Sequence, residues 1–277
     1  MKHVKFTKVH ASGNDFILLD QRRRPGRLNY RAFARRYCAR TTGIGADGVL
    51  VLTSSSKAAV KMRIFNADGS EAEMCGNGAR CAALWTHKTR RKNDRKLTIE
   101  TIAGIINAGV TRSRVKIQLT DPADIRMHQK LRLAGRHITV HYLNTGVPHT
   151  VIAVQGLANI DVRAVGRAVR THPYFAPEGT NVNFIEPAGE NFIRLRTYER
   201  GVESETGACG TGSAAAAIVA DTLWSAPPPE RRKIKVQTQS GEVLSITFQR
   251  RQEKRTEVWL QGRAEIVFNG TTETTRE

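Results

Sequence analysis

Cys75 and Cys209 each stand directly before a Gly-x-Gly, the first in "MCGNGARC" (74–81) and the second in "ACGTGSAAAA" (208–217). Each motif opens a stretch whose apolar, alanine-rich composition predicts a helix. A helix start leaves backbone N–H groups without intrahelical partners and carries a partial positive charge, so it favours the thiolate of a neighbouring cysteine and can hold an anion. The glycines remove side chains that would block that anion. One such cysteine reads equally well as a buried structural thiol at a tight turn; two copies in register favour chemistry. Thiols on opposite sides of one carbon could remove a proton from one face and deliver one to the other, which inverts a stereocentre. That reaction needs only an acid, a base and stabilisation of the carbanion. No GxGxxG opens a helix after a strand and no P-loop occurs, so no flavin, pyridoxal phosphate or nicotinamide is expected. Without a CxxC pair or a His-x₃₋₅-His, no zinc is expected either.

The elements that must position the two cysteines occur twice, in the same order. "HVKFTKVHA" and "DFILLD" read as strands around a Ser-Gly-Asn turn, Asn29 to Arg40 as a helix, and "GVLVL" and "VKMRIF" as strands. Cys75 and a helix through about Trp85 follow, then strands in "KLTIETIAGIINAGVT" and "RVKIQL". In the second half "HITVHYL" and "HTVIAV" flank Thr-Gly-Val-Pro, and "VRAVGRAVRTH" reads as a helix. "TNVNFIEP" and "FIRLRTYE" read as strands, Cys209 precedes a helix through about Leu223, and strands "KIKVQTQ", "EVLSITFQ" and "EVWLQG" close the set. Cys209 lies 134 positions after Cys75, Gly179 lies 134 after Gly45, and Gly146 lies 133 after Gly13. A period this long is a duplicated domain rather than a solenoid unit. The expected fold is α+β (α/β): two pseudo-symmetric domains, each an antiparallel-rich curled sheet around a central helix, facing each other across a cleft. Residues 1–120 form the N-terminal domain, with 264–277 as a candidate completion, and 121–263 form the C-terminal one. The boundary falls near Asp121-Pro122 in "TDPADIR".

The chain of 277 residues has 44 Lys and Arg against 25 Asp and Glu, a net charge of +19. That raises nucleic-acid binding as an alternative from another class. Its densest basic clusters, 21–27, 87–96 and 249–255, look loop-like and lack the interleaved aromatics of single-strand binders. A basic solvated surface, or a field that draws in a small anion, is the reading adopted, and nucleic acid is not the expected partner. No apolar run approaches the roughly 20 residues of a membrane span, and the start lacks a signal peptide's apolar centre. A cytoplasmic protein with no membrane association is expected, its four cysteines kept as thiols. Cys38 and Cys81 read as core thiols, since Cys81 follows Cys75 by six positions on another helix face.

These residues resemble the diaminopimelate epimerase family. "HASGNDFILLD", "GIGADGV", "FNADGSEAEMCGNGARC", "GVPH", "GTNVNF" and "YERGVESETGACGTGSAAAA" occur in that family's order and spacing through almost the whole chain. The resemblance implies a cofactor-independent isomerase of lysine and cell-wall precursor biosynthesis, commonly homodimeric, that interconverts LL- and meso-2,6-diaminopimelate. It implies Cys75 and Cys209 as the acid/base pair, with His149 and Glu199 placed beside the thiols. It implies substrate binding by Asn14, Asn66, Gly76, Asn77, Asn181, Glu199, Arg200, Gly210 and Thr211. A zwitterionic amino acid needs acceptors for its ammonium and donors for its carboxylate, and asparagine supplies both while arginine offers a fork. Proline racemases and hydroxyproline epimerases also use paired cysteines, but a Cys-Gly-His pattern there stands against "MCGNG" here. The chain departs from the family pattern at Val147, where many relatives have Asn, and at Gly48, where some have Gln.

Overall fold

The structure, a computed structural model, describes residues 2–23, 28–90, 95–224, 230–251 and 254–274. Two compact units make up the chain: Met1–Ile117 with Gly262–Glu277, and Gln118–Gln261. The first holds β1 (Lys2–Ala11), β2 (Asn14–Asp20), α1 (Tyr30–Tyr37), β3 (Gly48–Thr53), β4 (Val60–Asn66) and the short β5 (Glu71–Ala72). It continues with α2 (Gly76–Thr89), β6 (Lys96–Thr101), β7 (Gly104–Thr111) and β8 (Arg114–Gln118). The second holds β9 (Ala123–Leu133), β10 (Arg136–Asn144), β11 (Pro148–Ala153), α3 (Val162–Arg170), β12 (Asn181–Gly189), β13 (Phe192–Glu199) and β14 (Ser204–Thr206). Then come α4 (Gly210–Trp224), β15 (Arg231–Gln237), β16 (Val243–Arg251) and β17 (Lys254–Arg263), and the chain returns to the first unit in β18 (Glu265–Thr274).

Strand order in the first unit is β18-β1-β2-β3-β4-β6-β7-β8. In the second it is β9-β10-β11-β12-β13-β15-β16-β17, the same frame element for element. Neighbours are antiparallel except β2–β3, β4–β6, β11–β12 and β13–β15. Each parallel step needs a crossover, and the crossovers carry α1, α2, α3 and α4 in turn.

The central strands are apolar on both faces because both faces are covered. Ile17, Leu19, Val49 and Val51 pack against Phe33, Ala34 and Tyr37 of α1. Leu50 turns the other way toward α2, where it approaches Gly78. Such double coverage removes the alternation of a half-buried strand and leaves runs such as "FILL" and "VLVL". Helix α4 lies within the curl of its own sheet, against β10–β13, β15 and β16, and Gly212–Asp221 are all buried.

Several elements differ from the sequence reading. The first helix ends at Tyr37 rather than Arg40, because Ile44, Gly45 and Ala46 N–H groups fold back onto the carbonyls of Tyr37 and Cys38. Helix α2 runs one turn past Trp85, to Thr89. β9 escaped notice because its residues are mostly exposed and carry no apolar period, and β18 was expected only as part of a candidate completion. In the basic cluster at 249–255, the described residues lie on β16 and β17 rather than in a loop. Arg255 there is 7% exposed and directed with Arg232 at Asp221, which is fully buried, so part of the charge excess is internal and paired. Residues 24–27, 91–94 and 252–253 of the basic clusters lie outside the described residues.

Candidate active site

In the first unit Cys75 is the N-cap of α2, and its Sγ accepts the Gly78 N–H at 3.5 Å. Beside the sulfur, at 3.7 Å, lies Asn14 Oδ1, which also accepts from Asn77 Nδ2 at 3.4 Å. Both amides are anchored by groups that cannot reverse their roles. Asn14 Nδ2 donates to the Asp47 carboxylate at 2.7 Å, and Arg80 donates to Asn77 Oδ1 at 2.5 Å. Arg80 is fully buried and also reaches Ser12 Oγ at 2.6 Å and the Arg263 carbonyl at 3.0 Å. Beneath Asn14, Asp15 is clasped by Arg40 at 2.7 Å and Lys8 at 2.5 Å, and Lys8 also donates to the Gly45 carbonyl. Burial alone would raise the Asp15 carboxyl, but the hydrogen bonds from Arg40 and Lys8 overcome it and hold the group at about 2.

In the second unit Cys209 stands immediately before α4, and its Sγ accepts the Gly212 N–H at 3.4 Å. Thr211 Oγ1 lies 3.5 Å from that sulfur and 2.9 Å from His149 Nε2. His149 Nδ1 is 3.1 Å from Asn183 Nδ2, and Asn183 Oδ1 accepts from Thr197 Oγ1 at 3.0 Å. Complete burial, helped by the charge of Arg200, pushes the His149 imidazole down to about 3, so it is neutral at physiological pH. A Cβ on Gly212 would stand 2.5 Å from Asn183 Oδ1 and 3.2 Å from Cys209 Sγ, so glycine is what lets this helix start close on the polar chain. Burial raises the Glu199 carboxyl, opposed by the Thr206 hydroxyl.

Each unit holds a thiol at a helix start beside amide side chains, and the second adds a neutral imidazole, groups that can exchange protons and bind a polar, zwitterionic molecule. Among the described residues, no three His, Cys, Asp or Glu side chains converge to hold a metal. The family model described as diaminopimelate epimerase matches residues 6–125 and 141–267. This chain belongs to the diaminopimelate epimerase family. The diaminopimelate epimerase of Aquifex aeolicus is 41% identical over 96% of this chain and 97% of its own length. That of a Hydrogenobaculum species is 43% identical over 95% and 96%. A solved phenazine biosynthesis protein of the PhzF family from Bacillus anthracis shares the fold with a TM-score of 0.77 at 18% identity, covering 99% of this chain and 100% of that one.

Set against the family's expected residues, the structure brings Cys75, Gly76, Asn77 and Asn14 together in one unit and Cys209, Gly210, Thr211 and His149 in the other. Asn181 links Arg200 N–H, at 2.9 Å, to the Pro148 carbonyl, also at 2.9 Å, so its amide ties the turn after β13 to the start of β11. Arg200 itself donates to the Glu178 carbonyl at 3.0 Å, and Asn66 donates to Ser70 at 2.9 Å. Gly48 takes no larger residue in this backbone, because a Cβ would lie 2.7 Å from the Phe65 carbonyl oxygen. Sequence reasoning missed Arg80, Asp47, Asn183 and Thr197. Asn183 was legible in principle, since "NVN" on a strand places Asn181 and Asn183 on one face.

Proposed function

We propose that the chain interconverts LL- and meso-2,6-diaminopimelate, an isomerase step serving lysine and cell-wall precursor synthesis, with Cys75 and Cys209 exchanging the α-proton on opposite faces and no cofactor taking part. The observation that supports it most is the repeated helix start: in each unit a cysteine sulfur accepts an N–H from the second glycine of its Gly-x-Gly. Such a start stabilises a thiolate and leaves further N–H groups for a substrate carboxylate. Asn14, Asn66, Asn77, Asn181, Glu199, Arg200 and Thr211 supply the polar groups for the two ends of the substrate. The units are proposed to act as two epimerase domains, 1–120 and 121–263, with the C-terminal strand joining the first.

A cytoplasmic homodimer is part of the same proposal. No helix among the described residues is long and apolar enough to cross a membrane, and thiols that must stay reduced suit a reducing compartment. Val267 and Phe268 are 55% and 46% exposed on β18, which gives a second copy an apolar surface to cover. Incubating the purified protein with LL-diaminopimelate in deuterated water tests the activity: α-deuterium should appear in step with meso product. Neither appearing, in protein shown to be folded and reduced, would overturn the reading.

A further inference from the structure

The two cysteines accept the same backbone hydrogen bond, but the side chains behind them have opposite polarity, and the hydrogen-bond directions can be followed from groups that have only one role. In the second unit Asn183 Nδ2 donates to the Thr150 carbonyl at 3.2 Å, and a carbonyl can only accept. That fixes the amide, so its second N–H points at His149 Nδ1, which accepts. A neutral imidazole with an accepting Nδ1 carries its proton on Nε2, and Nε2–H donates to Thr211 Oγ1. The Thr211 hydroxyl is thereby left with its own proton to donate, and Cys209 Sγ, 3.5 Å away, is within its reach. In the first unit the Asp47 carboxylate fixes Asn14, so the atom facing Cys75 is Oδ1, an acceptor. Arg80 fixes Asn77 in the same sense, and an Asn77 N–H goes to Asn14 Oδ1.

We infer that Thr211, oriented by His149 and Asn183, holds Cys209 as the resting thiolate, while Asn14, oriented by Asp47, holds Cys75 as the resting thiol. Thr211, His149 and Asn183 are positioning residues: no proton leaves them in the cycle. The Cys209 thiolate takes the α-proton and becomes a thiol. The Cys75 thiol gives its proton to the opposite face and becomes a thiolate, and exchange with water restores the resting pair. Burial works against this order, because Cys209 is 8% exposed and Cys75 is partly exposed, and loss of water disfavours a thiolate. A donated O–H in a buried site outweighs that, since hydrogen bonds to a charged partner are about twice as strong as neutral ones.

The inference rests on the acid/base roles proposed above, but its test needs no substrate. The folded, full-length protein is alkylated with iodoacetamide across a pH series and each thiol is mapped by peptide mass spectrometry. Midpoints are compared rather than rates, which also depend on access. The Cys209 midpoint should lie below that of Cys75. Thr211→Val should raise the Cys209 midpoint by about one pH unit and leave that of Cys75 in place, and Thr211→Ser should restore it. A lower midpoint for Cys75, or a Cys209 midpoint unmoved in a folded Thr211→Val protein, overturns the inference. The order of the wild-type midpoints decides the matter if that variant does not fold. Absence of diaminopimelate turnover alongside the expected midpoints would count against the function and leave the relay standing.

Discussion

Around Cys75 the polar side chains are wired through charge, and around Cys209 through neutral groups. The repeat offset of 134 sets Asp15 against His149, Asp47 against Asn181, Asn77 against Thr211 and Arg80 against Ala214. Every one of those positions keeps its backbone place, yet none keeps its side chain. What duplication preserved is the sheet, the two crossover helices and the Cys-Gly-x-Gly start. The residues one layer out then diverged, and they decide whether the group beside the sulfur gives or takes a hydrogen. Under the proposed mechanism the two thiols do opposite jobs in one cycle and need a common cradle and unequal surroundings, and the two units supply both.

The largest effect should come from removing either sulfur. Cys75→Ala and Cys209→Ala should each reduce epimerisation by more than about a thousandfold, since neither remaining thiol can both take the proton and return it opposite. Calorimetric affinity for substrate should fall far less than turnover, as for a group acting in the transition state. Near wild-type turnover in either variant would show that the two cysteines are not a pair.

A smaller, structural effect separates the two wirings. Arg80→Met leaves Asn77 Oδ1, Ser12 Oγ and the Arg263 carbonyl without their buried donor, and roughly 3 kcal/mol of stability should be lost in urea denaturation. In the second unit, Thr145 Oγ1 donates to the Thr211 carbonyl at 3.0 Å near the position of Ser12. Thr145→Val should cost only about 1 kcal/mol, because one neutral hydrogen bond is lost. Equal losses would mean that the charged anchor carries no special share of the first unit's stability.

Acid should distinguish the units as well. His149, held down at about 3, and His141, held down at about 4 by burial and by neighbouring His128, bind fewer protons folded than unfolded. Stability from these groups is fully present above the unfolded histidine value of about 6.5 and falls as pH drops below it. Asp15, lowered to about 2, begins to lose its contribution only below its unfolded value of about 3.8. Acidification from pH 7 to 4.5 should therefore lower hydrogen-exchange protection, taken against the intrinsic exchange rate at each pH, in β10 and β11 before it does so in β1 and β2. His149→Gln should flatten the dependence of urea stability on pH over that interval, and an unchanged slope would remove His149 as its source.

The frame was legible because it was written twice: an apolar period, a turn or a cysteine that looks ambiguous once becomes informative when it recurs at a fixed offset. The candidate site was legible where its proposed groups lie in local motifs, as in Cys75-Gly76-Asn77 and Cys209-Gly210-Thr211. It was not legible at Arg80, whose type suggests a solvated helix face until the buried carbonyl and hydroxyl it serves are seen. Nor was it at Thr197, whose partner Asn183 lies on another strand. β9 stayed hidden because an exposed strand has little to bury, and the cluster at 249–255 was misread because Asp221, the charge that draws its arginines inward, is distant in sequence.

The smallest effect concerns Arg40, which looks decisive on paper because it bonds Asp15 at 2.7 Å and Asp47 at 2.6 Å. Its side chain, however, is 60% exposed, and water and salt screen what it contributes. The two carboxylates are also secured without it. Asp15 N–H donates to Asp47 at 3.0 Å, Asp47 N–H donates to Asp15 at 3.2 Å, and Lys8 holds Asp15 from the buried side, with its own side chain 11% exposed. Asn14 would keep its bond to Asp47, and with it the acceptor that faces Cys75. Arg40→Gln should therefore cost less than about 1 kcal/mol in urea denaturation, with the difference shrinking further in 0.5 M salt, roughly a Debye length of 4 Å. Turnover should stay within about threefold of wild type. A loss well beyond this, unaffected by salt, would mean that Asp15 and Asp47 repel strongly enough to need the second cation, and that the charged wiring of the first unit extends to its surface.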